Sequence, residues 1–508
     1  MRNKIALPKM LQNSITGIIA SALSTVSIYS IRIVISHVLG EEIYGINSIF
    51  ISIVSALLIL ELGMSTAIII ILYKPVYEDD HEAIKSILRF FRNFYRFFCL
   101  FINIAGLVTC LFFLRYFVNT DIDFVEVQSY FMLYIISMGF KYLWSYKCCL
   151  LYANKKNSVV SLVTIINTIV FTVLQISCIY FFRNYWVYLG LYLAQNVCQN
   201  AFCNIYANKH YSYITENNVT PLTHSEKSNI VSIVRPMFIQ RIANQIQDSS
   251  SVIIFGAIGT SAVTVGFFSN YIFVVHACQT LFNQVGASFT TSYGNYSAKS
   301  IDIEDKFNYY STSRFFMSWV ATIFATSYLC LIQDFIRLFF GKAYCMTDII
   351  AVLLACYVFV VLDSAINLST QNAVGAHYLD TKEIICQALI GIALSVVLGK
   401  WIGAVGISIS MIVSVGIFTG IIKGIKIIKN IYNKKAIAHI CLLIKEISVF
   451  VLISFISLCF YRLVLKPTGI VAFVLAALAV FVLSNVLFLI INIRSKHMSV
   501  VKSIVRKK

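Results

Sequence analysis

Long apolar runs alternate along the chain with short polar stretches. A helix that spans a bilayer needs about 20 mostly apolar residues, and by that length the sequence contains about fourteen candidate helices. They start near Ile15, Tyr44, Tyr95, Val127, Val159, Tyr185, Ile230, Ala262, Phe315, Ile349, Ile384, Gly403, Cys441 and Gly469. The runs are continuous, whereas the strands of a membrane barrel alternate apolar and polar residues over about ten positions. The pattern therefore predicts an all-α polytopic membrane protein.

Composition supports lipid as the main solvent of this chain. Hydrophobic residues make up 59% of the 508 positions and charged residues only 12%, whereas a soluble domain carries about 25% charged residues. The segment from Met1 to Ser14 is basic and polar, and it leads into an apolar stretch too long for the core of a signal peptide. We therefore expect the first helix to be retained.

The distribution of Lys and Arg predicts the orientation. Of the 40 basic residues, 28 fall in the segments that lie inside if the N-terminus is cytoplasmic, Arg314 among them, and seven fall in the outer loops. The remaining five lie within predicted spans: Arg32, Lys141, Arg235, Arg241 and Lys445. Because cytoplasmic loops are enriched in Lys and Arg, both termini are predicted to be cytoplasmic. Anionic lipid headgroups then account for the net charge of +18 without nucleic acid.

Two stretches about half the chain apart resemble each other. Arg32, Leu39-Gly40, Tyr44-Gly45 and Glu61-Leu62-Gly63 in the first stretch correspond to Asp248, Ile258-Gly259, Gly266 and Gln284-Val285-Gly286 in the second. The glycines suit tight turns and close helix approach. Two six-helix lobes with a site between them are a transporter design. The predicted organisation is an N-lobe at 1–207, a cytoplasmic linker at 208–228, a C-lobe at 229–430, and two further helices with a basic tail at 431–508.

Polar side chains recur at helical spacing on four predicted helices, so each set lies on one helix face. The sets are Ser21, Thr25, Tyr29, Arg32 and Ser36; Tyr134, Ser137, Lys141 and Ser145; Arg241, Asn244, Asp248 and Ser251; and Asp363, Asn367 and Gln371. Isolated Ser and Thr residues are best explained by helix–helix hydrogen bonds. Arg32 and Arg241 are different, because a charge within a bilayer is costly and usually faces a cavity or a partner.

The arginines predict an anionic substrate. A guanidinium matches phosphate oxygens in bidentate fashion, so a cavity that contains Arg32 and Arg241 would suit a phosphate-bearing ligand. The candidate substrate-binding residues are Arg32, Arg241, Lys141, Arg235, Tyr29 and Asn244. Asp248 is a charge partner of Arg241 or a carboxylate that binds a coupling proton or cation. Glu61 and Asp363 are further candidates for ion coupling, although for Glu61 a structural role as partner of a neighbouring helix is favoured.

Two longer inner segments, Lys74 to Arg96 and Asn208 to Ser228, are predicted to form amphipathic surface helices. The first contains Asp79, Asp80 and His81, which could suggest a metal site. Acidic residues at the start of a helix are better explained by N-capping and the helix dipole. The fourteen cysteines show no CxxC pair and no spacing typical of a metal site. We therefore expect neither a metal nor a resident cofactor, and at most coupling to a proton or sodium gradient.

The ordered set of these residues resembles the polysaccharide transporters of capsule and exopolysaccharide gene clusters of the Gram-positive type. The resemblance covers about residues 14 to 430 and includes 248–259, 266–271, 292–296, 372–377 and 403–407, together with the N-terminal set. These transporters belong to the multidrug, oligosaccharidyl-lipid and polysaccharide exporter superfamily. The resemblance implies a bacterial cytoplasmic-membrane flippase for undecaprenyl-diphosphate-linked oligosaccharide units. It also implies alternating access, a cationic cavity lined by Arg32, Arg241 and Lys141, and a polymerase and glycosyltransferases of the same pathway as partners.

Other functions remain open from the sequence. A peptidoglycan-precursor flippase would differ only in the glycan, and a drug or cation exporter would share the fold, although arginines disfavour a cationic drug. A membrane polysaccharide polymerase or glycosyltransferase would need a hydrophilic loop or domain to hold sugars. The predicted outer loops are short, and no nucleotide-binding Gly-rich loop is evident. The sequence therefore predicts a transporter rather than an enzyme.

Overall fold

A computed structural model describes residues 6–58, 61, 64–154, 156–216, 221–223, 225, 228, 250–297, 302–374, 381–465 and 467–498. Within these ranges the chain is helical and contains no β-strand, and an isolated bridge joins Asn119 to Ser261. Nine of the described helical segments are long and apolar enough to cross a bilayer. The structure confirms the prediction of an all-α polytopic membrane protein.

The chain divides into two compact units, the first ending at Gly266 and the second beginning at Phe267. The described residues of the first unit contain eight α-helices of nine or more residues: α1 Ala6–Val34, α2 Glu41–Leu57, α3 Met64–Tyr77, α4 His81–Val108, α5 Phe124–Tyr142, α6 Ser145–Ala153, α7 Asn157–Phe182 and α8 Tyr185–His210. A ninth helical segment, α9, covers residues 250–257. Most of the predicted seventh span lies outside the described residues, and the predicted lobe boundaries stay a prediction.

The next helix, α10 Ala262–Ser297, begins at the end of the first unit and continues into the second. The second unit then contains α11 Ile303–Phe339, α12 Asp348–Val374, α13 Thr381–Val415, α14 Lys423–Tyr432, α15 Ala436–Phe460 and α16 Ile470–Ile491. The backbone of α13 leaves helical geometry at Ile402 and Gly403. This break separates two spans, as the predicted helix starts at Ile384 and Gly403 require.

The last two helices pack on the second unit. Both α15 and α16 lie against α11. Phe315 of α11, Ile453 of α15 and Phe488 of α16 form one buried apolar cluster. A second cluster joins Cys330 of α11 to Val480 of α16. Burial of this apolar surface therefore fixes α15 and α16 to the unit that also contains α11.

The segment from Lys74 to Arg96 is not a separate surface helix, contrary to the sequence prediction. Helix α3 ends at Tyr77, and α4 begins at His81 and continues to Val108. Asp80 caps α4, because its carboxylate accepts a hydrogen bond of 3.0 Å from the backbone N–H of Ala83. The N-cap interpretation of this acidic pair is therefore confirmed at Asp80. In the second inner segment, α8 ends at His210 and a short 3-10 turn covers Ser212–Thr215.

Two glycines from the internal repeat meet in the first unit. A Cβ atom on Gly45 of α2 would lie 1.9 Å from the carbonyl oxygen of Ala262, and one on Gly266 would lie 2.8 Å from the Cα of Gly45. The adjacent backbone is tied as well, since Ala262 N donates to Asn119 O at 2.9 Å. Close approach of α2 and α10 therefore requires glycine at these positions, as the sequence predicted.

We predict that Gly45→Ala destabilises the protein. The added methyl group would overlap a backbone carbonyl that cannot rotate away, and overpacking of this kind costs about 1–3 kcal/mol of the free energy of unfolding. Thermal melting of the purified protein in detergent measures the effect. Gly190→Ala is the matched control, because Gly190 lies within α8 and a Cβ there would meet no atom within 4 Å. Equal melting temperatures for the two variants would contradict the packing argument.

Candidate functional site

Arg32 is buried on α1, with 4% of its surface exposed. Its Nε and Nη2 donate to the Tyr44 hydroxyl at 3.0 and 2.6 Å, and Nη2 also donates to Ser48 Oγ at 3.2 Å. Tyr44 and Ser48 are four residues apart on α2 and therefore share one face of that helix. These bonds orient the guanidinium without themselves adding a negative charge. The arrangement is suited to present a cation to a ligand anion.

A row of tyrosines lies on α5 and α8 in the same unit. Tyr134 stacks on Tyr192 with ring centroids 5.2 Å apart, and Tyr188 stacks on both Tyr185 and Tyr192 at 5.5 and 6.0 Å. Tyr188 is close enough to Arg32 to interact with its charge. Tyrosine offers an apolar ring face together with a hydroxyl that donates and accepts hydrogen bonds. The first unit thus places a polar aromatic surface beside its buried arginine.

Lys141 and Glu61 carry opposite charges and lie near each other in this unit. Lys141 is exposed at the end of α5, and it is close enough to Glu61 for the two charges to attract each other. Glu61 accepts hydrogen bonds from Ser65 of α3 and, at 3.4 Å, from Tyr95 of α4. These bonds agree with the favoured structural role of Glu61 as a partner of neighbouring helices.

The second unit contains a buried cluster of charges around Arg314, which is 1% exposed. Glu446 accepts from Arg314 Nε at 2.9 Å and from Nη2 at 2.6 Å, so this pair is bidentate. Nη2 also donates to Asp363 Oδ2 at 3.3 Å. Since Arg314 lies on α11, Asp363 on α12 and Glu446 on α15, the cluster joins three helices. It also ties the first of the two C-terminal helices to the interior of its unit.

His439 of α15 completes this cluster in a neutral form. Its Nδ1 lies 3.3 Å from Arg314 Nη1, and its Nε2 lies 2.8 Å from the carbonyl oxygen of Gly420. A guanidinium can only donate, so Nδ1 must accept and Nε2 must carry the hydrogen that is donated to Gly420. Among the described residues, two carboxylates and a neutral imidazole thus face one guanidinium.

Asn367, one of the polar positions of α12, connects helices. Asn367 accepts from the Tyr310 hydroxyl at 3.2 Å and donates to the backbone oxygen of Thr419 at 3.0 Å. Asp363, Asn367 and Gln371 are all buried. A polar stripe was expected on this helix, and it lies inside the second unit.

The structure describes some of the predicted site residues and not others. Tyr29 and Arg32 lie on α1, Lys141 on α5 and Asp363 on α12. Arg235, Arg241, Asn244 and Asp248 lie outside the described residues, so their roles stay predictions.

The hydropathy pattern does not predict the centre of the second cluster. Arg314 was assigned to an inner segment ahead of a helix starting near Phe315, whereas α11 begins eleven residues before Arg314, at Ile303. Glu446 was not singled out, although it lies inside a predicted span beside Lys445. The rule that marked Lys445 as a charge within the membrane applies equally to Glu446 and could have found it.

Solved structures with a similar fold are membrane transporters. One is described as "Lipid II flippase MurJ, inward closed conformation", with a TM-score of 0.69 and 13% identity over 95% of this chain and 99% of that chain. A multidrug resistance MATE family transporter of the MOP superfamily has a TM-score of 0.62 and 11% identity over 78% of this chain and 92% of that chain. The eukaryotic MATE transporter AtDTX14 has a TM-score of 0.55 and 13% identity over 85% of this chain and 98% of that chain.

No protein-family model matches the sequence, and no curated protein matches it. At 11 to 13% identity, the structural similarities show the fold alone. The chain therefore has the fold of the MOP-superfamily transporters, which agrees with the superfamily that the sequence resembles. Membership of that superfamily, and of the polysaccharide transporter family within it, stays a prediction.

We predict that Arg314→Met strongly destabilises the second unit. Removal of one partner from a buried ion pair leaves an uncompensated charge and costs about 3–5 kcal/mol, whereas an exposed pair contributes about 0–1 kcal/mol. Arg462→Met is the control, because Arg462 pairs with Asp348 while both side chains are about 60% exposed. Thermal and chemical denaturation of the purified variants would measure the difference. Similar losses of stability in both variants would show that the buried cluster contributes no more than an exposed ion pair.

Proposed function

We propose that this protein is a flippase that moves undecaprenyl-diphosphate-linked oligosaccharide units across the membrane by alternating access. The observation that carries the proposal is the buried Arg32, which Tyr44 and Ser48 orient beside a row of tyrosines. The fold is similar to that of a solved structure described as a lipid II flippase and to that of a MATE transporter of the MOP superfamily. Export of lipid-linked saccharide would serve the synthesis of a surface polysaccharide, such as capsule or exopolysaccharide.

We propose a separate environment for each part of such a substrate. The diphosphate would bind Arg32, because a guanidinium recognises phosphate oxygens through two parallel hydrogen bonds. Tyr29 of the same helix and Lys141 are further proposed contacts. Arg235, Arg241 and Asn244 are proposed to add positive charge and polar contacts from the other half of the internal repeat. The glycan would lie in an aqueous cavity, and the lipid tail would remain in the bilayer.

Energy coupling is proposed to involve the acidic residues within the membrane. Asp363 faces Arg314 together with Glu446, and His439 and Tyr310 contact the same guanidinium. Uptake of a proton by one of the two carboxylates would weaken the ion pairs that join α11, α12 and α15. Asp248 and Glu61 remain alternative positions for a coupling proton or sodium ion.

The proposed setting is the cytoplasmic membrane of a bacterium, with both chain termini in the cytoplasm. A polysaccharide polymerase and glycosyltransferases of the same pathway are the proposed protein partners. A peptidoglycan-precursor flippase is the closest alternative, because it would use the same recognition of a lipid diphosphate and differ in the glycan. A drug exporter is less well supported, since Arg32 would repel a cationic drug.

We predict that Arg32→Ala lowers the initial rate of flipping about 10- to 100-fold, because hydrogen bonds to a charged group contribute about 1.5–3 kcal/mol. The assay uses the full chain in liposomes, a fluorescent undecaprenyl-diphosphate oligosaccharide and a quencher added outside. Arg32→Lys should recover part of the rate, because it keeps the charge but loses the planar fork.

Arg115→Ala serves as the control for this assay, because Arg115 is exposed and lies outside the proposed site. Protein insertion is checked by labelling an exposed cysteine in each variant. Equal rates for wild type and Arg32→Ala would exclude the proposed role of Arg32. Failure of the wild type with several glycans, with and without proton and sodium gradients, would contradict the flippase function itself.

A further inference from the structure

A basic pocket lies in the first unit, and Arg32 is not among its lining residues. It is formed by the first turns of α4, the start of α6 and the 3-10 turn that follows α8. Its basic lining residues are Lys85, Arg89, Arg92 and Lys147. We call this site the basic pocket, after these four residues.

Hydrogen bonds hold two of these cations in place. The side chain of Lys85 is 5% exposed and pairs with Glu82 and, at 2.9 Å, with Glu216. Lys147 Nζ donates to the side-chain oxygens of Asn204 and Asn208 of α8, each at 2.6 Å. Both cations are therefore fixed by partners on other segments, in contrast to the mobile side chains of an ordinary basic loop.

The pocket contains a buried donor without a partner. The Nε–H of Arg92 is buried and has no hydrogen-bond partner in the described part of the chain. Such a donor costs free energy. Among the described residues, the acidic side chains at the pocket are Glu216 in the lining and Glu82, and both pair with Lys85. An anion that accepts from Arg92 would satisfy its donor.

The position of the pocket favours an anion at the membrane surface. The same helix that provides Lys85, Arg89 and Arg92 continues into a strongly apolar stretch, in which Phe97, Leu100 and Ile104 are exposed. A phosphate group bound at the start of α4 would therefore lie where lipid headgroups meet acyl chains. The Lys/Arg distribution predicts that this end of α4 faces the cytoplasm, where anionic lipids are enriched.

We propose that the basic pocket binds a phosphate group, supplied by the headgroup of an anionic phospholipid. Arg92 provides a guanidinium group for phosphate oxygens, and Lys85 and Lys147 add fixed positive charge. The site is separate from the proposed contacts of the transported substrate. A soluble phosphate compound has the same chemistry, and the experiment distinguishes the two sources.

The test measures binding by native mass spectrometry of the full chain in detergent. The probes are phosphatidylglycerol, phosphatidylcholine and inorganic pyrophosphate. We expect the wild type to bind one phosphatidylglycerol more tightly than phosphatidylcholine. Arg92→Gln should weaken that binding about tenfold or more, because a charge-assisted hydrogen bond is lost. Arg96→Gln should bind like the wild type, since Arg96 lies one turn further along α4, is exposed and does not line the pocket.

Each outcome decides the proposal. Binding of pyrophosphate that depends on Arg92, without preference for phosphatidylglycerol, would support the phosphate site and assign it to a soluble ligand. Equal binding of both phospholipids by the wild type together with no binding of pyrophosphate would overturn the proposal, and this comparison needs no variant to fold. Equal losses of phosphatidylglycerol binding in Arg92→Gln and Arg96→Gln would show that binding depends only on general surface charge. That result would also overturn the proposal. None of these measurements depends on flipping activity.

Discussion

A positive charge inside a membrane protein must be held by polar partners, and the described residues of each unit include a buried arginine, Arg32 in the first and Arg314 in the second. The two arginines are held differently. Arg32 is oriented by the neutral oxygens of Tyr44 and Ser48, whereas Arg314 is paired with two carboxylates. Buried ion pairs offset the desolvation of their charges only with good geometry, and the bidentate contact of Arg314 with Glu446 has it. The cluster around Arg314 thus joins three helices of its unit, whereas ligand binding at Arg32 stays a proposal.

The hydrophobic pattern predicted most of the fold, because the length of a membrane span and the apolar composition of its residues leave few alternatives. The break at Ile402 and Gly403 and the cap at Asp80 were also predictable, since both depend on local sequence. For Gly45, the sequence predicts a close helix contact but not that its partners are Ala262 and Gly266. Glycine indicates a close approach, but one sequence does not say which helix approaches.

The charge cluster of the second unit could not be predicted in full, for a physical reason. Hydropathy marks where a helix becomes apolar, and α11 extends beyond that point because its polar first turns are also helical. Arg314 therefore falls in a region that hydropathy assigns to solvent, and its burial depends on Glu446, which is 132 residues away in sequence. The buried position of Arg32, by contrast, follows from its place in a continuous apolar run.

The central claim is that the chain recognises a lipid diphosphate through Arg32, and competition binding tests it most directly. Purified protein in nanodiscs would be titrated with undecaprenyl-diphosphate oligosaccharide, the corresponding monophosphate and a quaternary ammonium drug. The account predicts saturable binding of the diphosphate, weaker binding of the monophosphate, and no displacement of either by the cation. Tight binding of the cation with no binding of the diphosphate would contradict the account and favour a drug exporter.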